Sequence, residues 1–305
     1  MNQDKRILNN IKKHLSNLKL NRNQRYEGYL EIVKKDGMKI KHLNLNRILS
    51  KDQVNKIYIE AVKQNGMALE YIKNQTEEIC LEAVKQEGEA LEFVHTQTEE
   101  ICLMAVKQNC RALIYVKNQT EEMCINAIRE NEWIFEDIKE KTEKICIELI
   151  IKDPYKLMYI ENQTEEICLW AILIRPDTFK YVRTQTERLC LIAVTRNINL
   201  LKYVKNQTEE ICRYVLKKDK CSIIYIKDKE RYLEEFDIRY LKGEKPIKEV
   251  IAIKEGGRWL FTIGCQNNIT KEKFIYRIYN TGGGFNLEKG INVHRQIYLD
   301  FLKGF

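Results

Sequence analysis

Residues 76–97 read TEEICLEAVKQEGEALEFVHTQ, and this stretch decides the fold. Thr76 is a good helix N-cap, because its hydroxyl can accept a hydrogen bond from an unpaired backbone N–H of the first turn. The spacing of the apolar residues that follow is helical rather than strand-like. They are Ile79, Cys80, Ala83 and Val84. The first half of the stretch therefore predicts a short amphipathic α-helix.

Gly88 interrupts this helix, and a second, shorter apolar face follows at Ala90, Leu91 and Val94. The stretch thus predicts a hairpin of two short helices. Neither helix can bury its apolar face alone, so neighbouring hairpins must stack into one continuous core.

The same pattern recurs along the chain at a constant spacing of 22 residues. Its cysteines are Cys80, Cys102, Cys124, Cys146, Cys168, Cys190 and Cys212. A threonine precedes each cysteine by four residues, and an aromatic residue keeps the same spacing except at Asp137. Internal repetition of this kind predicts an α-solenoid of 22-residue two-helix repeats, a mainly α fold.

The repeats do not fill the whole chain. We expect an N-terminal capping helix in residues 1–24, solenoid repeats over 25–230, and a linker helix with a small α+β domain over 231–305. Within the solenoid, residues 25–50 form a divergent unit and the regular units run over about 54–228. A basic capping segment of this kind is the usual way in which a solenoid seals its core.

Near residue 245 the periodicity changes. Residues 249–264, EVIAIKEGGRWLFTIG, predict two strands joined at Gly256 and Gly257. Residues 273–280, KFIYRIYN, predict a third strand, and the last twenty residues predict a helix. A βββα domain of this size is small for independent stability, so we expect it to pack on the solenoid.

The repeated phrase QTEEICLEAVKQ, residues 75–86, resembles a repeat family known as domain of unknown function 4116. The resemblance covers residues 54–228, more than half of the chain. Such arrays occur in giant viruses, in some bacteria and in mobile elements. The resemblance implies a helical repeat architecture; the family has no established activity and no functional residues to transfer.

The net charge of +8 is unevenly distributed. Residues 1–50 carry 12 Lys and Arg against 4 Asp and Glu, whereas residues 51–230 carry 27 against 31. The basic N-terminal cap therefore supports an alternative hypothesis of nucleic-acid binding, although a solvated end unit explains it more simply. No apolar run approaches the roughly 20 residues that span a bilayer. We expect no membrane partner and a cytoplasmic, reducing location.

The cysteines raise the questions of metal binding, disulfides and catalysis. Cysteines one repeat apart lie roughly 8–10 Å apart, too far for a disulfide, and no paired zinc-ligand spacing occurs. We therefore predict a packing role and no cofactor or metal. Cys265 and His294 form a candidate nucleophile and base, the second alternative hypothesis: a cysteine-dependent effector enzyme in the C-terminal domain.

Function is expected where the repeats differ. The seventh position of the repeat begins polar, at Glu60 and Glu82, and becomes large and apolar later in the chain. With the neighbouring positions of the same helical stripe it predicts an apolar patch, either open or covered by the C-terminal domain. The patch residues are Ile151, Trp170, Leu173, Ile174, Ile192 and Tyr214. Trp133 and Tyr155, after the turn between the helices, are further candidates for partner contacts.

The leading hypothesis is a non-enzymatic protein-binding scaffold or inhibitor. Heavy use of Lys, Asn and Ile suggests an AT-rich genome. A virus, phage or mobile element that acts on a host or defence protein is therefore the expected setting.

Overall fold

The structure, a computed structural model, describes residues 21–45, 49–244, 247–264, 266–280 and 293–305. The chain divides into two compact units, Met1–Ile160 and Glu161–Phe305. The predicted capping helix falls almost entirely outside the described residues. Over the described part of the chain, no helix is long and apolar enough to cross a membrane.

Each repeat consists of an α-helix followed by a 3-10 helix, which confirms the two-helix repeat and refines its second element. The α-helices of the first unit are α1 to α6, at Arg22–Lys35, Lys51–Gln64, Glu77–Gln86, Glu99–Gln108, Glu121–Glu130 and Glu143–Lys152. Those of the second unit are α7 to α9, at Glu165–Ile174, Glu187–Arg196 and Glu209–Lys218. The 3-10 helices are η1 to η9, at Gly37–His42, Gly66–Tyr71, Gly88–Phe93, Cys110–Tyr115, Glu132–Asp137, Pro154–Tyr159, Pro176–Tyr181, Ile198–Tyr203 and Lys220–Tyr225.

Local capping fixes both helices of the repeat. The Thr76 hydroxyl accepts from the Ile79 N–H at 3.3 Å, and the threonine one repeat later does the same, which confirms the predicted N-caps. Between the helices one extended residue ends the α-helix. In most repeats its side chain also caps the next helix, as Asn65 does by accepting from the Met67 N–H at 3.0 Å, whereas Glu87 and Arg175 form no such cap. The extended residue forces a new start, so the second helix is a separate 3-10 turn rather than a continuation.

In six of the repeats a glutamine before the α-helix joins successive turns of the solenoid. The Gln97 carboxamide donates to the Tyr115 carbonyl at 2.9 Å and accepts from the Lys117 N–H at 3.0 Å. The Cys102 thiol in turn lies 3.7 Å from the Gln97 Oε1 atom. The same bidentate contact recurs at Gln75, Gln119, Gln163, Gln185 and Gln207. The cysteine ladder thus fills the core and also orients these carboxamides.

Lys141 takes the place of glutamine in this ladder. Its ammonium donates to the Ile138 carbonyl of its own turn at 3.0 Å. Lys229, four repeats later, also takes the place of glutamine, and its ammonium donates to the Ile226 carbonyl at 2.7 Å. At these two positions the sequence does not supply the joining carboxamide.

The C-terminal domain belongs to the second unit and contains a four-stranded antiparallel sheet in the order β1-β2-β3-β4. The strands are Ile238–Leu241, Val250–Glu255, Arg258–Ile263 and Gln266–Ile269. Gly256 and Gly257 both have positive φ, as a tight two-residue hairpin turn requires, which confirms the predicted β2–β3 hairpin. A short helix α10, Glu230–Leu233, precedes the sheet, and helices α11, Lys271–Asn280, and α12, Val293–Leu302, follow it.

One prediction for this domain was wrong. Residues 273–280 form helix α11 rather than a third strand, because Thr270 caps its first turn and Phe274 and Ile278 bury one helical face. The short helix α10 lies where the linker helix was predicted to begin, and the chain then enters strand β1. The domain is therefore ββββαα rather than βββα.

The core of this domain is aromatic. Phe261 and Phe274 are buried with ring centroids 5.4 Å apart, and Phe305 packs edge-on against Phe261 at 5.0 Å. Within the second unit the last repeat touches the sheet, since the Cys221 sulfur lies 3.9 Å from the Thr262 hydroxyl. The predicted packing of the domain on the solenoid is thus present at the last repeat.

The buried thiols predict a loss of stability in alkaline solution. Burial raises the pKa of the Cys168 thiol from 9.0 to about 11. The unfolded chain therefore releases this proton at lower pH than the folded chain, so the stabilising contribution is complete below pH 9 and is lost as the pH rises through about 11. We expect the stability difference between the wild type and Cys168→Ala to shrink by on the order of 2 kcal/mol over this window. Urea denaturation at both ends of the window measures it; a constant difference would contradict the prediction.

Candidate protein-binding surface

Helix α7 is apolar on all sides after its first turn, with the continuous run Ile167–Ile174. Helices of this kind are normally buried all round. Here the core side is buried, but Trp170, Leu173 and Ile174 remain 39, 39 and 40% exposed. These three residues lie at i, i+3 and i+4 and therefore share one face of the helix.

This face continues onto the two following helices of the second unit. Ile192 in α8 and Tyr214 in α9 occupy the position of Trp170 one and two repeats later, and both are half-buried. Successive helices from α7 to α9 pack against each other, so these residues lie on neighbouring helices. We call the surface of Trp170, Leu173, Ile174, Ile192 and Tyr214 the apolar face.

Most repeats of the first unit have polar residues at the same positions, with Met104 and Ile151 as apolar exceptions. Glu82 pairs with Lys85 at 3.0 Å, and Arg129 forms a bidentate pair with Glu148, with its shorter contact at 2.7 Å. Glu60 lies between Lys34 and Lys63. The scaffold therefore accommodates carboxylates at this position, and packing does not require the large apolar residues of the second unit.

The remaining predicted contact residues, Ile151, Trp133 and Tyr155, lie in the first unit. Ile151 is 47% exposed and Trp133 69%, with Tyr155 at 38%. The Lys156 ammonium lies 3.6 Å from the centroid of the Trp133 ring. A cation already covers part of this indole face, so Trp133 is less available than its exposure suggests.

Sequence reasoning missed a set of basic residues beside the apolar face. Arg175, Arg196, Lys217 and Lys218 are exposed at the C-terminal ends of α7, α8 and α9. None of the four forms an ion pair with any residue that the structure describes. A comparison of the repeats at the tenth to twelfth positions, continued past Ile174, would have found them.

The described cysteines are free thiols, and burial raises the pKa of every thiol in the ladder. A raised pKa keeps a thiol protonated and a poor nucleophile. Cys265 lies outside the described residues, and His294 lies in the first turn of α12. In the part of the chain that the structure covers, no three His, Cys, Asp or Glu side chains are grouped to hold a metal ion.

Comparison with known proteins gives one family. The domain of unknown function DUF4116 matches residues 55–97 and, in an overlapping segment, residues 76–120. Each segment spans about two of the repeats described above. No curated protein and no solved structure matches the chain. The chain thus carries tandem helical repeats that resemble the DUF4116 family.

Proposed function

We propose that this protein is a non-enzymatic scaffold that binds another protein through the apolar face of its second unit. The observation that carries the proposal is the exposure of Trp170, Leu173 and Ile174 on α7. Exposed apolar patches of this kind mark interaction surfaces, and tryptophan is prominent among residues that dominate binding energy.

A comparison of the repeats within the chain supports this proposal. At the position of Trp170 the scaffold accepts Glu60, Glu82 and Glu148. Packing therefore does not require the large apolar residues at this position, which supports a role for them in contact with a partner.

The proposal extends to an inhibitor of a host or defence protein, encoded by a virus, phage or mobile element and acting in a reducing compartment. The high content of Lys, Asn and Ile supports this setting, as do the free, buried thiols of the ladder.

The test compares partners recovered with the wild type and with Trp170→Glu/Ile192→Glu, identified by mass spectrometry. Glutamate already occupies this position in other repeats, so the variant is expected to fold, which circular dichroism melting checks. Met104→Glu, the same change at the same position in the first unit, is the matched control. We expect the double variant to lose a specific partner at least ten-fold, as removal of a binding hot spot does, while the control retains it. Equal recovery with a folded double variant would refute the proposed surface.

A further inference from the structure

The basic residues beside the apolar face indicate the charge of the partner that would bind there. Arg175, Arg196, Lys217 and Lys218, which we call the basic rim, are exposed at the end of the same three helices. The acidic side chains at this end have other contacts: Asp219 accepts from the Cys221 N–H and the Ser222 hydroxyl, and Asp177 interacts with Lys180. The basic rim is therefore not neutralised by its own unit.

A structural role explains two glutamines of the first unit but not Arg196, which occupies the same repeat position. Gln64 and Gln108, at the end of α2 and α4, accept from the Gly37 N–H at 2.5 Å and the Gly88 N–H at 2.6 Å. One repeat before Arg196, the position of these glycines is occupied by Pro176, which has no N–H to donate. Arg196, at the position of Gln108, is thus free of this structural role.

The helix dipole accounts for only part of the basic rim. One basic residue in the last turn is favourable because it offsets the partial negative charge of the helix end. Helices α2 to α4 have one such residue each, whereas α9 ends in Lys217 and Lys218. Helix α1 also ends in two basic residues, but its Lys34 and Lys35 pair with Glu60 and Glu31, whereas Lys217 and Lys218 pair with no carboxylate in the part of the chain that the structure describes.

The other basic ladder of the second unit has a structural role and contrasts with the basic rim. Lys205 donates to the Arg183 carbonyl at 2.9 Å, and Arg183 donates to the Glu161 carbonyl at 2.9 Å. These cations hold successive turns together, whereas the side chains of the basic rim extend to solvent.

We infer that the partner docks an acidic amphipathic helix on this surface, with apolar side chains on the apolar face and carboxylates against the basic rim. This inference rests on the proposed function. An apolar stripe flanked by Asp or Glu is the complement of the surface, since it covers the exposed Trp170 side chain and pairs with the cations at its edge.

Two fluorescent synthetic helices of about 18 residues, with the same leucine and phenylalanine positions but either Glu or Lys flanks, test the inference by fluorescence anisotropy. We expect the acidic peptide to bind the wild type at least ten-fold more tightly than the basic one, with affinity falling as salt rises. Arg196→Gln/Lys217→Gln/Lys218→Gln should weaken the acidic peptide at least ten-fold. The matched control Lys63→Gln/Lys85→Gln/Lys107→Gln removes the same charge from the first unit and should leave binding unchanged.

The outcomes separate this inference from the proposed function. No binding of the acidic peptide, or equal binding of both peptides, overturns the acidic partner. If Trp170→Glu nevertheless abolishes whatever peptide binding occurs, the apolar face stands as the contact. If Trp170→Glu leaves binding intact while the triple variant removes it, the apolar face fails instead. Tighter binding of a single-stranded DNA of similar length, or of vesicles of anionic phospholipid, through the basic rim would overturn the inference in favour of those ligands.

Discussion

Gly88→Ala is expected to lower the free energy of unfolding by about 3 kcal/mol, within the range of overpacked sites and backbone clashes. A methyl group at this position would lie 2.6 Å from the Ala105 carbonyl oxygen and 2.8 Å from the Gln108 Oε1 atom. The carboxamide can move only by giving up its hydrogen bond with the Gly88 N–H, and the carbonyl belongs to helix α4 and cannot move alone. Gly88 is thus required for close approach.

The neighbouring repeat provides the control for this substitution. Cys110 occupies the same position one repeat later, so the array already accommodates a side chain there. Cys110→Ala should change stability by less than about 1 kcal/mol. Urea denaturation followed by circular dichroism compares the free energies of unfolding of the two variants. If Gly88→Ala were as stable as Cys110→Ala, neighbouring repeats could move apart to admit the methyl group without losing stability, which would contradict the prediction.

The second large effect is expected from Gln97→Ala, which should lower the free energy of unfolding by about 2–3 kcal/mol. The substitution removes two hydrogen bonds and leaves the Tyr115 carbonyl and the Lys117 N–H without their partner. Unpaired backbone groups that are partly buried carry most of this cost. Hydrogen exchange provides a local measurement, because the Lys117 amide should exchange faster in the variant.

Two further variants make the Gln97 prediction specific. Gln97→Glu keeps an acceptor for the Lys117 N–H but loses the donor to the Tyr115 carbonyl, so its Lys117 amide should stay more protected than in Gln97→Ala. Gln86→Ala changes an exposed glutamine of the preceding helix and should alter stability by no more than about 0.5 kcal/mol. If Gln86→Ala and Gln97→Ala lost equal stability, the hydrogen bonds of Gln97 between successive turns would make no specific contribution to the free energy of unfolding.

The repeat itself could be predicted because its determinants are local. The hydroxyl of Thr76 and the apolar spacing that follows act within one or two turns of a helix, and both repeat along the chain. The 3-10 form of the second helix depends instead on one extended residue between the helices. The joining role of Gln97 was readable in principle, since glutamine recurs at the same spacing, but its partner lies eighteen residues away and appears only once the turns stack.

The C-terminal domain was predicted less well for a physical reason. Residues 273–280 are rich in β-branched and aromatic residues, which favour strands by propensity. Thr270 nevertheless caps a helix there, and the burial of Phe274 and Ile278 against the sheet overrides propensity. The exposure of Trp170 could not be read from sequence either, because it depends on where the C-terminal domain packs.

The carboxamide contacts between turns also bear on how such a chain can change length. Each glutamine binds a carbonyl and an N–H at equivalent positions of the repeat that follows it. Excision of residues 98–119 would place the Asp137 carbonyl and the Lys139 N–H 18 and 20 residues after Gln97, the same spacing that they now have from Gln119. Insertions or deletions of whole 22-residue repeats therefore keep each glutamine opposite a carbonyl and an N–H that it can bind. Insertions or deletions of other lengths do not. Gene duplication can thus lengthen this protein without a new solution to its folding.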